Sequence, residues 1–232
     1  MMQNQIQAKV VKIIRSLKPN MRIFILILSV LFSQHVIAST LKLNYSLFFG
    51  YMKTMYKLDY QHVTTGFYLV EQSSGNKCLI EKAEIVVDDK REKIEFENQG
   101  RLMPFYSDQH RKDGAMIEVQ TVNNQVCALQ VTLMAKGEEL SLLPFKKLAL
   151  ISTQLEGVLR KNAGMVGKYF LPTFSGLRFR LANPLDANFV LPSGYSFANN
   201  GDLLVNNETL ITTSPSKLFP LEVSRITPWI EK

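Results

Sequence analysis

The chain has 232 residues, 46% of them apolar and 20% charged, which allows one medium domain or two small ones and argues against disorder. Its formal charge of +7 suggests a nucleic-acid partner, but the position of that charge argues against one. Lys9, Lys12, Arg15, Lys18 and Arg22 precede the hydrophobic run with no acid among them; the other 22 basic residues face 20 acids, a net of +2, so no nucleic-acid partner is expected.

Residues 1–38 read as an export signal. Ile23 to Phe32 is a ten-residue run in which Ser29 is the only polar residue, and Val36-Ile37-Ala38 offers a cleavage site before Ser39. A span of roughly 20 apolar residues is needed to cross a bilayer, and Ser33-Gln34-His35 interrupts before that length is reached. The expectation is a cleaved, periplasmic protein with no membrane span in its mature form. The alternative is an uncleaved N-terminal membrane anchor. Met21-Arg22 supplies a second candidate start that would leave a short conventional signal, and no Cys at the cleavage site points to lipid attachment.

In the mature chain, Leu41 to Tyr45 reads as extended. Tyr45, Phe48, Phe49, Met52, Met55 and Tyr56 then recur at helical spacing, predicting a helix from about Leu47 to Leu58 with Ser46 as its N-cap. A stripe of this kind is expected to be a core face rather than a ligand groove.

The segment from Gly66 to Phe145 reads as two copies of one pattern, 66–105 and 115–145. Each copy opens with a strand, turns, meets a cysteine, continues as a second strand and ends in Pro-Phe. Phe67 to Cys78 and Met116 to Cys127 are both 11 residues apart. The strands of the first copy are expected near His62–Glu71, Lys77–Val87 and Glu92–Phe96, in a meander, with a bulge near Glu81-Lys82 where alternation fails. In the second copy Cys127, Leu129, Val131 and Leu133 share one strand face. The polar link from Glu97 to Gly114 is expected to carry a short helix opened by Pro104.

Pro144 opens a longer helix whose buried stripe is Phe145, Leu148, Ile151, Leu155, Val158 and Leu159, with its end near Gly164. From Met165 onward there are six prolines and no helical period. Strands are expected around Leu177–Leu181, Tyr195–Phe197, Leu203–Val205 and Val223–Ile230, with Asn199-Asn200-Gly201-Asp202 as a hairpin turn. The expected organisation is an export signal (1–38), an α+β domain (39–164) built on a duplicated antiparallel β-meander with packed helices, and a β-rich C-terminal module (165–232) of about five strands.

The mature chain has two cysteines, Cys78 and Cys127, at matching places in the two copies. In an oxidising compartment a disulfide between them is the leading expectation. Two unpaired buried thiols remain the alternative, and a metal site is disfavoured without a C-x-x-C.

No G-x-S-x-G, H-E-x-x-H, P-loop or G-x-G-x-x-G occurs in the chain. The densest polar group is Ser107 to Asp113, in which Asp108, His110 and Asp113 have the chemistry for acid–base work or a metal, although such runs are more often solvated loop. Asp59 and His62 near a helix end carry the same discount. Arg178 and Arg180 share one strand face and have the fork geometry to grip a carboxylate or phosphate, although the wet side of a half-buried strand has the same pattern. No cofactor is implied.

Leu43-Asn44-Tyr45-Ser46-x-Phe48-Phe49, Gly66-Phe67-Tyr68-Leu69-Val70, the Leu-Leu-Pro-Phe at 142–145 and the ending Ile226-Thr227-Pro228-Trp229 resemble a family of exported bacterial proteins known only as a domain of unknown function. The resemblance implies a periplasmic location and supplies no catalytic residue. The functional expectation is a non-catalytic binding or scaffold protein for an envelope protein or glycan. The alternative is a periplasmic hydrolase or metal-binding protein using Asp108, His110 and Asp113.

Overall fold

The computed structural model describes residues 40–97, 99–140, 142–167, 171–185 and 189–231. The export-signal segment and the second candidate start at Met21 lie outside them. The described residues hold four helices and twelve strands in three antiparallel sheets, an α+β fold with a β-rich C-terminal part.

The first eight strands are β1 (Thr40–Asn44), β2 (Val63–Glu71), β3 (Ile80–Val87), β4 (Lys90–Lys93), β5 (Glu95–Glu97), β6 (Arg101–Met103), β7 (Met116–Thr121) and β8 (Cys127–Ala135). They form two sheets, ordered β1-β7-β3-β4 and β5-β6-β2-β8. The two copies interleave: the opening strand of each pairs with the second strand of the other, β2 with β8 and β7 with β3. A two-fold exchange of the copies maps one of these pairs onto the other. The register shift between Ile80 and Lys82 puts a bulge where alternation fails in the sequence.

Cys78 and Cys127 form a disulfide across this interleaved pair, with Cα atoms 6.5 Å apart. Both are buried in a core with Phe48, Phe67, Leu69, Ile85, Leu102, Ile117 and Val119.

Helix α1 (Ser46–Leu58) packs on this core through Phe48, Phe49 and Met52. Two expectations about it need correction. Ser46 does not cap it with its hydroxyl; the Ser46 N–H instead donates to Asn44 Oδ1 at 2.8 Å, so the cap comes from two residues earlier. Nor is the whole stripe core. Its first two turns are buried, but Tyr56 at the far end is 71% exposed, while its neighbours Met55 and Leu58 pack partly on the second core.

The link between the copies contains helix α2 (Asp108–Lys112), opened not by Pro104 but by Ser107, whose hydroxyl accepts from the His110 N–H. Tyr45, fully buried, ties this link down: its hydroxyl donates to the Phe105 carbonyl at 2.7 Å and accepts from the Ser107 N–H at 2.8 Å.

Helix α3 (Phe145–Gly167) begins beside Pro144 and is interrupted at Gly164, where φ is 69°. Its stripe Phe145, Leu148, Ile151, Leu155 and Val158 is buried against the third sheet. That sheet has the order β10-β11-β9-β12, with β9 (Thr173–Leu181), β10 (Tyr195–Phe197), β11 (Leu203–Asn206) and β12 (Val223–Glu231). Leu177, Phe179, Leu203, Val205 and Ile226 meet the helix in a second core that also takes in Val63 and Ala135. This core therefore draws on residues either side of Gly164, and residues 39–232 make one compact unit.

The sequence pattern missed a fourth helix, α4 (Asn207–Thr212), which is too short to show a period; the Asn206 side chain caps it by accepting from Thr209 N–H. Among the described residues, no helix is long and apolar enough to cross a membrane.

Candidate binding surface

Helix α1 and the link before α2 bring three aromatic rings into one stack. Phe49 and Tyr56 are seven residues apart, about 10.5 Å along a helix axis. Tyr106, from the link, fills that gap, with ring centroids 5.2 Å from Phe49 and 5.0 Å from Tyr56 at interplanar angles of 21° and 14°. The result is a three-ring stack rooted in the core at Phe49 and ending at the open ring of Tyr56. Phe105, 39% exposed, lies in the same link.

Polar groups border the stack. Tyr106 Oη donates to Asp108 Oδ2 at 2.9 Å, and burial, then that bond and the charge of Asp108, raise the phenol above its ordinary pKa. The Arg111 guanidinium and the Lys53 ammonium lie 5.0 and 5.5 Å from the Phe49 ring centroid, within cation–π range. A cavity of about 360 Å³ adjoins the stack, lined by Met52, Met55, Thr65, Phe67, Met103 and Tyr106. An apolar hollow with a few convergent polar groups is the usual form of a small-ligand site. A second hollow of about 530 Å³ lies between Tyr51, Val131, Leu133, Leu159, Pro228 and Ile230.

The polar residues singled out from the sequence are dispersed. Asp108 serves Tyr106. Asp113 Oδ1 accepts from Gln109 Nε2 at 2.7 Å. His110 packs its ring between Tyr45 and Phe105, at 5.8 and 5.3 Å, with Nε2 3.6 Å from Glu92 Oε2. The buried His110 Nδ1 has no hydrogen-bond partner among the described residues. The three side chains thus serve three different partners, and among the described residues no three His, Cys, Asp or Glu side chains are placed to hold a metal. His62 is held through its backbone, its N–H donating to Gln154 Oε1 at 3.0 Å.

Arg178 and Arg180 lie together on the side of β9 turned away from α3. Arg180 Nε donates to Asp202 Oδ1 at 3.4 Å, and Arg178 Nε is buried with no hydrogen-bond partner among the described residues.

Tyr56 and Tyr106 were not expected as site residues. Tyr56 fell within a stripe read as core, and Tyr106 stood in a link with no period to place it. The sequence signal was present in the i, i+7 spacing of Phe49 and Tyr56, which leaves room for one ring between them.

A disulfide-tied α+β fold presenting an aromatic surface defines a class of structure, not an activity. A family model described as a protein of unknown function (DUF2987) matches residues 37–181, more than half the chain, and the chain belongs to that family. The match ends with β9, so β10 to β12 complete the third sheet from beyond the matched region. No curated protein and no solved structure matches the chain.

Proposed function

We propose that the protein is an exported, non-catalytic binding protein that takes a glycan of the cell envelope on the Tyr56–Tyr106 surface. The observation that carries this reading is the ring stack ending at a 71% exposed tyrosine. An open aromatic ring held rigid by rings behind it offers a flat apolar face at little entropic cost, which suits the C–H face of a sugar. Asp108 and Arg111, at its border, supply an acceptor and a donor for hydroxyl groups. The disulfide is compatible with an oxidising compartment, and the signal-like segment before Ser39 supplies the route there.

The test is co-sedimentation of the purified protein with insoluble envelope polysaccharide from the cells that make it. Tyr56→Ala is expected to cut the bound fraction at least about fivefold while leaving thermal stability within a degree or two, since an exposed ring contributes little to folding. Retention of full binding by Tyr56→Ala would overturn the glycan platform. The mass of the envelope-isolated protein is expected to begin at Ser39.

A further inference from the structure

The second concentration of unusual chemistry lies around Tyr68, on the side of β2 away from the first core. Its ring lies over Gly66, so closely that a Cβ at residue 66 would come 2.7 Å from ring Cε2, and its hydroxyl donates to Met134 Sδ at 3.6 Å. The ring is only 6% exposed, yet it is approached by two cations: Lys77 Nζ and Arg225 Cζ each lie 5.1 Å from its centroid. Arg101 is the strand partner of Tyr68 on β6, and Arg180 is the strand partner of Arg225 across β9 and β12.

Two carboxylates answer these four cations. Glu97 pairs with Arg101 at 2.8 Å and Asp202 with Arg180 at 3.4 Å. Among the described residues no carboxylate reaches ion-pair distance of Lys77 or Arg225. Next along β9, Arg178 brings its unpartnered, buried Nε. The Lys77 chain is exposed overall, but its ammonium lies on the Tyr68 ring. Burial, then the charge of Arg225, and more weakly those of Arg180 and Arg101, hold that ammonium below its usual pKa against the pull of Glu97.

Like charges placed opposite each other across a strand pair are destabilising. Here Arg180 and Arg225 face one another with only one acid beside them. A fold that gathers cations in this way carries a cost that a bound anion removes, and the excess of cations over acids sets its charge. Arginine forks suit the paired oxygens of a phosphate, with a lysine adding a point charge. The ring of Tyr68 is too buried to stack on a base, so a compact anion fits and a nucleic acid does not.

We propose that Lys77 and Arg225 on the Tyr68 ring, with Arg180 paired to Arg225 and Arg178 two residues back along β9, form a binding site for a phosphate-type oxyanion carrying at least two negative charges, borne by a free small molecule or by a lipid headgroup. None of these four residues belongs to the Tyr56 surface, and the test does not depend on glycan binding.

The probe is inorganic pyrophosphate, titrated into the whole protein and followed by NMR. Saturable shifts of the Tyr68 ring and the Arg225 Nε–H signals, with Kd at or below about 1 mM, are expected. Arg225→Gln and Lys77→Gln are each expected to weaken binding about tenfold, while Lys90→Gln, on a sheet that does not contain Tyr68, leaves it unchanged. Shift mapping on the unsubstituted protein makes the test independent of how the variants fold. Absence of saturation by roughly 10 mM, shifts that map away from Tyr68, or undiminished affinity in the Lys77→Gln, Arg225→Gln double variant would overturn the proposal. Vesicles containing a phosphate-monoester lipid identify the source. Sedimentation that pyrophosphate reverses upholds the site and assigns it to a headgroup, whereas pyrophosphate binding without sedimentation upholds it and assigns it to a free anion.

Discussion

Gly100 shows how much of this fold depends on single positions. It sits at φ 79° in the turn before β6, and a Cβ there would come 2.7 Å from the Cys78 carbonyl oxygen and 2.8 Å from that of Leu69. Both are backbone atoms beside the disulfide, and the Gly100 carbonyl itself accepts from the Leu69 N–H at 2.7 Å. Gly100→Ala combines an unfavourable dihedral with a contact that cannot relax by side-chain rotation. It is expected to destabilise by about 2–3 kcal/mol, read as a lower urea midpoint at unchanged m-value. In the sequence Gly100 is one glycine in a polar link. The close approach of Leu69 and Cys78 is a product of the fold.

At the scale of elements, the outer face of the sheet β1-β7-β3-β4 carries an ion network across all four strands. Lys42 on β1 pairs with Glu118 on β7 at 2.9 Å, and Arg91 on β4 reaches Glu118 at 2.7 Å and Glu84 on β3 at 3.3 Å. Lys82 also meets Glu84 at 2.8 Å. Glu84 and Glu118 are direct strand partners, a repulsive pair that Arg91 bridges. Both carboxyls are held below their usual pKa, Glu84 chiefly by the hydrogen bond from Lys82 and Glu118 chiefly by that from Lys42. A depressed carboxylate pKa contributes stability that is fully present above the unfolded-state value and is lost as pH falls through the folded one. Arg91→Gln is therefore expected to lower the melting temperature at neutral pH. The gap to the unsubstituted protein should close as pH falls below about 4.3, as measured by thermal melts across that range. A gap independent of pH would rule out the bridging role of Arg91.

At the scale of the molecule, the interleaving of the two copies makes the disulfide a tie between halves. Cys78 leads into β3 and Cys127 opens β8, strands that belong to different sheets, 49 residues apart in sequence. Reduction releases a long loop in the unfolded chain, a loss of up to about 4 kcal/mol in the chain-entropy account. Urea denaturation with and without reductant is expected to show a loss of that order. A loss near zero would mean that the interleaved sheets hold without the bond.

The sequence by itself determined the α+β class, the duplication and its matching cysteines, the bulge at Ile80–Lys82, the Asn-Gly hairpin before β11 and the break in the long helix at Gly164. Each of these is written in local chemistry: periodicity, turn residues and spacing within some ten residues. Only the tertiary structure decided which strands pair, because two similar copies offer two similar sets of partners and local pattern cannot choose between them. It also decided the candidate sites. Asp108, His110 and Asp113 are neighbours in sequence, yet the turns of α2 send them to Tyr106, Glu92 and Gln109. Lys77, Arg180 and Arg225 are far apart in the chain, yet two sheets deliver them to the surroundings of Tyr68. Proximity along a chain sets helix and strand, whereas a site depends on side chains meeting across elements, and that is settled only when the cores close.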